Sequence, residues 1–201
     1  VVLFDPHPRR YFRPDDPPFL LTLPPQRDAL LRAAGAEEIF VLNFNKALAS
    51  TTPEDFVKVI LKQQLGLAGV VTGADFRFGK ARGGDGEALQ SLGKAAGLEV
   101  KLVDVLSENP GAEKFGSSAV RAEIQGGAVG RAAAMLGREW SVTGIVAEGR
   151  KVGRTIGFPT ANLTLGDLVE PRKGVYVTRT MVDGKAYGSV SNFGRRPTVG
   201  S

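Results

Sequence analysis

Two sequence periodicities follow one another along this chain, and the change between them near Gly137–Glu139 constrains the fold more than any other feature. Up to about residue 138, short apolar runs alternate with segments whose apolar residues recur at helical spacing. Val1–Phe4 reads as a strand stopped by Pro6 and Pro8, and a Pro/Asp-rich loop runs from Arg13 to Pro25. Leu30, Leu31 and Ala34 place a helix over Arg27–Ala34, ended by Gly35, and Ile39–Asn43 is the next strand. Thr52-Pro53-Glu54 supplies a cap and a first-turn proline to a helix bearing Phe56, Val57, Ile60, Leu61 and Leu65. Val70–Gly73 is a strand, Gly86–Ala96 a helix and Glu99–Leu106 a strand, followed by helices over Ser117–Gln125 and Ala128–Leu136. Strands separated by helices of this length predict a parallel sheet covered on both faces, with ligands at the strands' carboxyl ends.

After Leu136 the pattern is that of strands alone. Trp140–Val146, Gly174–Val182 and Ala186–Phe193 read as strands, and Asp183-Gly184 between the last two is a strong hairpin signal. This half is expected to form part of a barrel. The division predicts two domains, 1–138 and 139–201.

Composition removes several chemistries. The 201 residues hold no cysteine, which excludes disulfides, thiolate metal sites and cysteine nucleophiles, and the single His7 cannot build a multi-histidine metal site. With 42% hydrophobic residues the chain can bury a core, yet no apolar stretch is long enough to span a bilayer and no signal peptide is visible. A cytoplasmic chain with no membrane partner is expected. A net charge of +5 suits an anionic ligand. The cations are dispersed, and at Gly79–Arg82, Gly149–Arg154 and Arg195–Arg196 they stand beside glycine, a pattern for small phosphates more than for nucleic acid. The chain starts at Val1 without a methionine and stops after a Gly-Arg-Arg-Pro-Thr turn, so both ends are expected to be cut.

The densest motif is Gly149-Arg-Lys-Val-Gly153-Arg154-Thr-Ile-Gly-Phe-Pro-Thr160-Ala-Asn162. Its glycines let backbone N–H groups approach an anion, its cations supply countercharge, and a threonine hydroxyl and asparagine amide suit Mg²⁺ and nucleotide oxygens. Gly73-Ala-Asp-Phe-Arg-Phe-Gly79-Lys80 follows a strand, but its glycine spacing and Ala81 rule out a Walker A loop. Asp75 between Phe76 and Phe78 suits a flat aromatic ligand; two core phenylalanines around a turn aspartate fit the spacing equally. In Phe115-Gly-Ser-Ser-Ala-Val-Arg121, Ser117 and Ser118 are placed to cap a helix whose free N–H groups attract anions, with Arg121 one turn in. Phe4-Asp-Pro-His-Pro8 is a rigid turn that, with Phe12, makes an apolar wall; His7 there reads as structural.

Together and in order, these segments resemble the bacterial bifunctional riboflavin kinase/FMN adenylyltransferase family, along with Gly174-Val-Tyr176 and Asn192-Phe-Gly-Arg-Arg-Pro-Thr198. The resemblance covers essentially the whole chain. It implies a Rossmann-like α/β nucleotidyltransferase domain that adenylylates FMN to FAD with release of pyrophosphate. A β-barrel domain that phosphorylates riboflavin with ATP would follow it. Riboflavin, FMN and ATP are then the partners and Mg²⁺ the cofactor, and a homo-oligomer is allowed. Phe4, Pro6, Pro8, Phe12, Asp75 and Phe78 match the flavin-side positions. Ser117, Ser118 and Arg121 match the triphosphate motif, and Gly149, Gly153, Arg154, Thr160 and Asn162 the kinase nucleotide site. Arg121 and Asn162 take catalytic roles, and Thr160 that of magnesium ligand.

This chain departs from the family's pattern. The family's early His-x-Gly-His motif and the kinase glutamate after the Arg-Pro-Thr turn are absent, Gly116 replaces a serine, and Ser118 replaces a threonine. The chain alone is therefore expected to have neither activity at normal levels. Two other readings stand beside this one: a nucleotidyltransferase of the same superfamily acting on a pantetheine or nicotinate substrate, and a non-catalytic nucleotide- or RNA-binding module. Gly157–Asn162 discriminates against the former, and strong salt-dependent RNA binding without flavin binding would favour the latter.

Overall fold

The computed structural model describes residues 1–104, 116–147 and 160–194. The chain folds as two compact units, one made of Val1–Asp16 and Leu31–Phe115, the other of Pro17–Leu30 and Gly116–Ser201.

In the first unit, β1 (Val2–Asp5) pairs in parallel with β2 (Phe40–Asn43). A five-residue helix, α1 (Pro8–Phe12), follows β1; α2 (Pro24–Ala33), of which residues up to Leu30 are assigned to the second unit, starts three residues earlier than its periodicity predicts. The α3 turn (Lys46–Ala49) leads to α4 (Pro53–Asp55), where Thr52 Oγ1 accepts from Asp55 N at 3.1 Å, the predicted cap. From Phe56 to Gln64 this helix continues as a π-helix whose buried Phe56, Val57, Ile60 and Leu61 face the core. Next come β3 (Gly69–Gly73), α5 (Gly86–Ala95) and β4 (Glu99–Val103), with β3 and β4 parallel.

The expected single sheet is corrected: among the described residues the two parallel pairs are separate, two-stranded ladders. They meet through side chains, since Phe4 and Leu42 from one pair and Val70 and Val100 from the other pack on the same core of Phe56, Val57, Ile60, Leu61, Phe78, Leu89 and Leu98. Alternation of strands and helices predicts parallel pairing, but backbone hydrogen bonding between pairs depends on where the core places them.

In the second unit, α6 (Ser117–Gly126) ends at Gly127, whose φ of +82° is the left-handed value that favours glycine. The helix α7 (Val129–Leu136) packs with α6 around Val120, Ile124, Ala132 and Val169. The stretch predicted as a loop at 13–25 also carries structure: Leu20 bridges Leu168 in parallel, and Val169 N donates to Leu20 O at 2.8 Å. The hairpin of β5 (Gly174–Val182) and β6 (Lys185–Phe193) turns at Asp183-Gly184 as expected, in register from Gly174↔Phe193 to Val182↔Lys185.

Trp140–Val146 is not a strand. The Trp140 indole packs on the α6–α7 cluster and its Nε1 donates to Leu21 O at 2.9 Å, while Ile145 is 92% exposed. The only pairing there among the described residues is the Ala147–Asn162 bridge, and a strand without a ladder partner does not form. Of the expected barrel, the described residues contain this one hairpin.

Candidate active site

Of the positions expected to face a flavin, Phe4, Phe12 and Phe78 are linked in the first unit through ring contacts. Pro8 opens α1, and His7 caps it, its Nδ1 accepting from Arg9 N at 3.1 Å; that is the structural role its setting predicts. The helix lays Tyr11 and Phe12 against Phe44, at ring separations of 5.3 and 5.7 Å. Phe4 meets Phe44 edge-on at 5.8 Å and Phe56 at 6.4 Å, Phe56 meets Phe78 at 5.5 Å, and Phe78 stacks on Phe76 at 5.7 Å. A continuous aromatic row therefore links Phe12, 63% exposed, to Phe78, 5% exposed. Each contact of this kind adds about 0.5–1.5 kcal/mol beyond burial. Phe4, Phe12 and Phe78 belong to this row, whereas Pro6 and Asp75 are exposed. Phe78 is a core residue, and Asp75 stands free of the core at the carboxyl end of β3. Phe44 and Phe56 complete the row; Phe56 was placed on the apolar face of its helix, but nothing local marks its ring contacts or those of Phe44.

The segment after β3 closes on itself. Phe78 N donates to Gly84 O at 3.1 Å and Gly84 N returns a bond to Phe78 O at 2.9 Å. Asp85 caps α5, accepting from Ala88 N at 3.0 Å, and pairs with Arg77 at 3.0 Å. The Ala88 N–H, helped by Arg77, holds the Asp85 carboxyl below its ordinary value against the opposing effect of burial.

In the second unit, Ser117 and Ser118 are exposed residues of the first turn of α6, not its caps. The expected serine cap is corrected: Gly116 holds the cap position and no side chain caps the helix, because Ser117 and Ser118 already lie within the helix. Arg121, a turn further on, has its Nε on Phe19 O at 2.5 Å and its guanidinium 5.5 Å from the Phe19 ring centre. Phe19 is buried, and its role was missed because it lies in a proline-rich stretch; the apolar run Phe19-Leu20-Leu21 was the signal. Thr160 is exposed and Asn162 half-buried, with Ala147 N donating to Asn162 O at 2.8 Å. Gly149, Gly153 and Arg154 lie outside the described residues.

The described residues contain no cluster of three acidic or histidine ligands. The hydroxyl of Thr160 and the amide of Asn162 are neutral oxygen donors, a donor type that suits a hard cation such as magnesium.

An amino-terminal nucleotidyltransferase-like domain followed by a riboflavin kinase domain is the class of protein that fold and sequence together define. The family model for FAD synthetase matches residues 1–119, and that for riboflavin kinase matches residues 136–201. The chain belongs to the FAD synthetase family. It is 34% identical to the bifunctional riboflavin kinase/FMN adenylyltransferase of Escherichia coli K12, over 99% of this chain and 63% of that protein. For the enzyme of the same name from Pseudomonas fluorescens the identity is 36%, over 99% and 63%. A crystal structure of a macrolide-efflux protein from Streptococcus pneumoniae superposes with a TM-score of 0.84 at 31% identity, covering 99% of this chain and 64% of that one. The chain thus spans a little under two thirds of the relatives' length. No helix among the described residues is long and apolar enough to cross a membrane.

Proposed function

We propose that this chain serves FAD biosynthesis in the cytoplasm. Residues 1–138, as a Rossmann-like domain, supply groups for the adenylylation of FMN to FAD, and residues 139–201, as part of a β-barrel, supply groups for the phosphorylation of riboflavin to FMN. The observation that carries this reading is the succession of the two family matches, 1–119 and 136–201, in a chain alignable over nearly its whole length with bifunctional relatives.

In the adenylyl transfer, a phosphate oxygen of FMN attacks the α-phosphorus of ATP and pyrophosphate leaves. Such a displacement needs positioning and charge stabilisation and no covalent nucleophile, which accords with a chain that has no cysteine. Phe4, Pro6, Pro8 and Phe12 wall the isoalloxazine ring, Phe78 backs that wall from the core, and Asp75 accepts from the ring's polar edge. The uncapped first turn of α6, with Ser117 and Ser118, receives the triphosphate, and Arg121 adds positive charge while tied to Phe19. In the kinase half, Gly149, Gly153 and Arg154 cradle phosphates, and Thr160 and Asn162 orient the nucleotide. Thr160 would hold a magnesium ion bound with ATP, which would supply countercharge during transfer.

The test is binding. Riboflavin, FMN and MgATP are each titrated against the purified chain by flavin fluorescence and calorimetry, and chromatography then follows conversion of riboflavin to FMN and FAD. Binding of both flavins and of MgATP is expected. A chain that binds none of them overturns the reading.

A further inference from the structure

The turn Gly79–Gly83 holds two cations in a backbone conformation that side chains disfavour. Ala81 (φ 55°, ψ 22°) and Arg82 (φ 58°) lie one after the other in the left-handed region, which disfavours any side chain beyond glycine. Glycines stand at 79, 83 and 84 but not at these two positions. Such strain persists only where the surroundings over-determine it. Here they do. Lys80 N donates to Thr51 O at 2.7 Å, the two Phe78–Gly84 backbone bonds close the segment, and a Cβ on Gly79 would stand 2.8 Å from Pro53 N. The turn thus presents Lys80 and Arg82 to solvent on a fixed frame. Arg77 is paired with Asp85, whereas among the described residues neither Lys80 nor Arg82 pairs with a carboxylate.

We propose that Lys80 and Arg82 read the terminal phosphate of the flavin substrate, the group that distinguishes FMN from riboflavin. The inference rests on the reading above that the segment after β3 meets the flavin through Asp75. The turn belongs to that same segment, at the carboxyl end of a parallel strand, and beside the aromatic row it supplies the anion-binding half that a flat ring carrying a phosphate requires. Guanidinium and ammonium groups on a preset frame lose less freedom on binding than mobile surface cations do.

Riboflavin and FMN are titrated separately against the parent chain, the K80Q/R82Q variant and the charge-preserving K80R/R82K variant, by quenching of flavin fluorescence, with MgATP titrated by calorimetry. The expected result is a Kd for FMN about tenfold or more higher in K80Q/R82Q, with riboflavin and MgATP affinities unchanged, and with most of the FMN preference kept in K80R/R82K. Both side chains are exposed, so thermal unfolding is expected to be unaltered. An unchanged Kd for FMN in K80Q/R82Q, or an equal loss for both flavins, overturns the proposal. So does a loss confined to MgATP, which would assign the turn to the nucleotide. Failure of the parent chain to bind either flavin would instead refute the proposed function itself.

Discussion

Gly84 lies against the ring of Phe78 so closely that a Cβ on Gly84 would stand 2.6 Å from the ring's Cζ. The same two residues exchange backbone hydrogen bonds, so neither can withdraw without opening the segment that connects β3 to α5. Gly84→Ala is therefore expected to destabilise the first unit by about 1–3 kcal/mol, the usual cost of overpacking a core. Urea denaturation followed by circular dichroism measures it, and a change below 0.5 kcal/mol would show that the ring swings aside at little cost (roughly the neutral range for surface substitutions).

Asp85 links the same segment to acid stability. Its carboxyl lies below the ordinary value of 3.8 in the folded chain, chiefly through the Ala88 N–H. A depressed carboxylate adds stability that is complete above the unfolded value and is lost as pH falls from there through the folded value. Asn caps a helix as well as Asp but does not titrate, so the contribution of position 85 in Asp85→Asn should be independent of pH. The stability difference between parent and D85N, followed by urea midpoints from pH 6 downwards, is expected to hold steady above about pH 4 and then shift against the parent. A difference independent of pH would contradict this.

Thr52 caps α4 and the π-helix that carries most of the first core, through the 3.1 Å bond from Asp55 N to its hydroxyl. Thr52→Ala should cost about 1 kcal/mol, and Thr52→Ser much less, because serine keeps the acceptor oxygen. Equal losses in the two variants would mean that the methyl group, not the cap, carries the effect.

Ile124 is fully buried in the second unit, in the cluster on which Trp140 packs. Ile124→Ala should destabilise by about 2–5 kcal/mol through lost burial and the cavity it leaves. Trp140 is the only tryptophan, so its emission reports this packing directly, and a red shift should accompany the loss. An unshifted spectrum would place the indole outside the affected core.

The elements legible in the sequence are those whose causes are local. The Thr52-Pro53 helix start and the Asp183-Gly184 hairpin follow from a few neighbouring residues, and both form where the residues point. Trp140–Val146 has the composition of a strand, yet its tryptophan is drawn to the α6–α7 cluster and, among the described residues, the rest of it joins no ladder. The five-residue α1 is too short for any periodicity to reveal, although His7 and Pro8 supply its cap and first turn. Of the candidate site, motif and order singled out Phe4, Phe12 and Phe78 as rings expected to face a flavin, while the ring contacts that join them run through Phe44 and Phe56, and no local pattern gives those contacts.

Residue order alone determined the alternation of strands and helices, the hairpin, the glycine-flanked cations and the family to which the chain belongs, since each is written in neighbouring side chains. Only the tertiary structure decided that Phe78 is buried, that Arg121 is tied to Phe19, and that Ala81 and Arg82 are held left-handed. Those outcomes come from contacts between distant segments, where packing and backbone hydrogen bonds outweigh local preference.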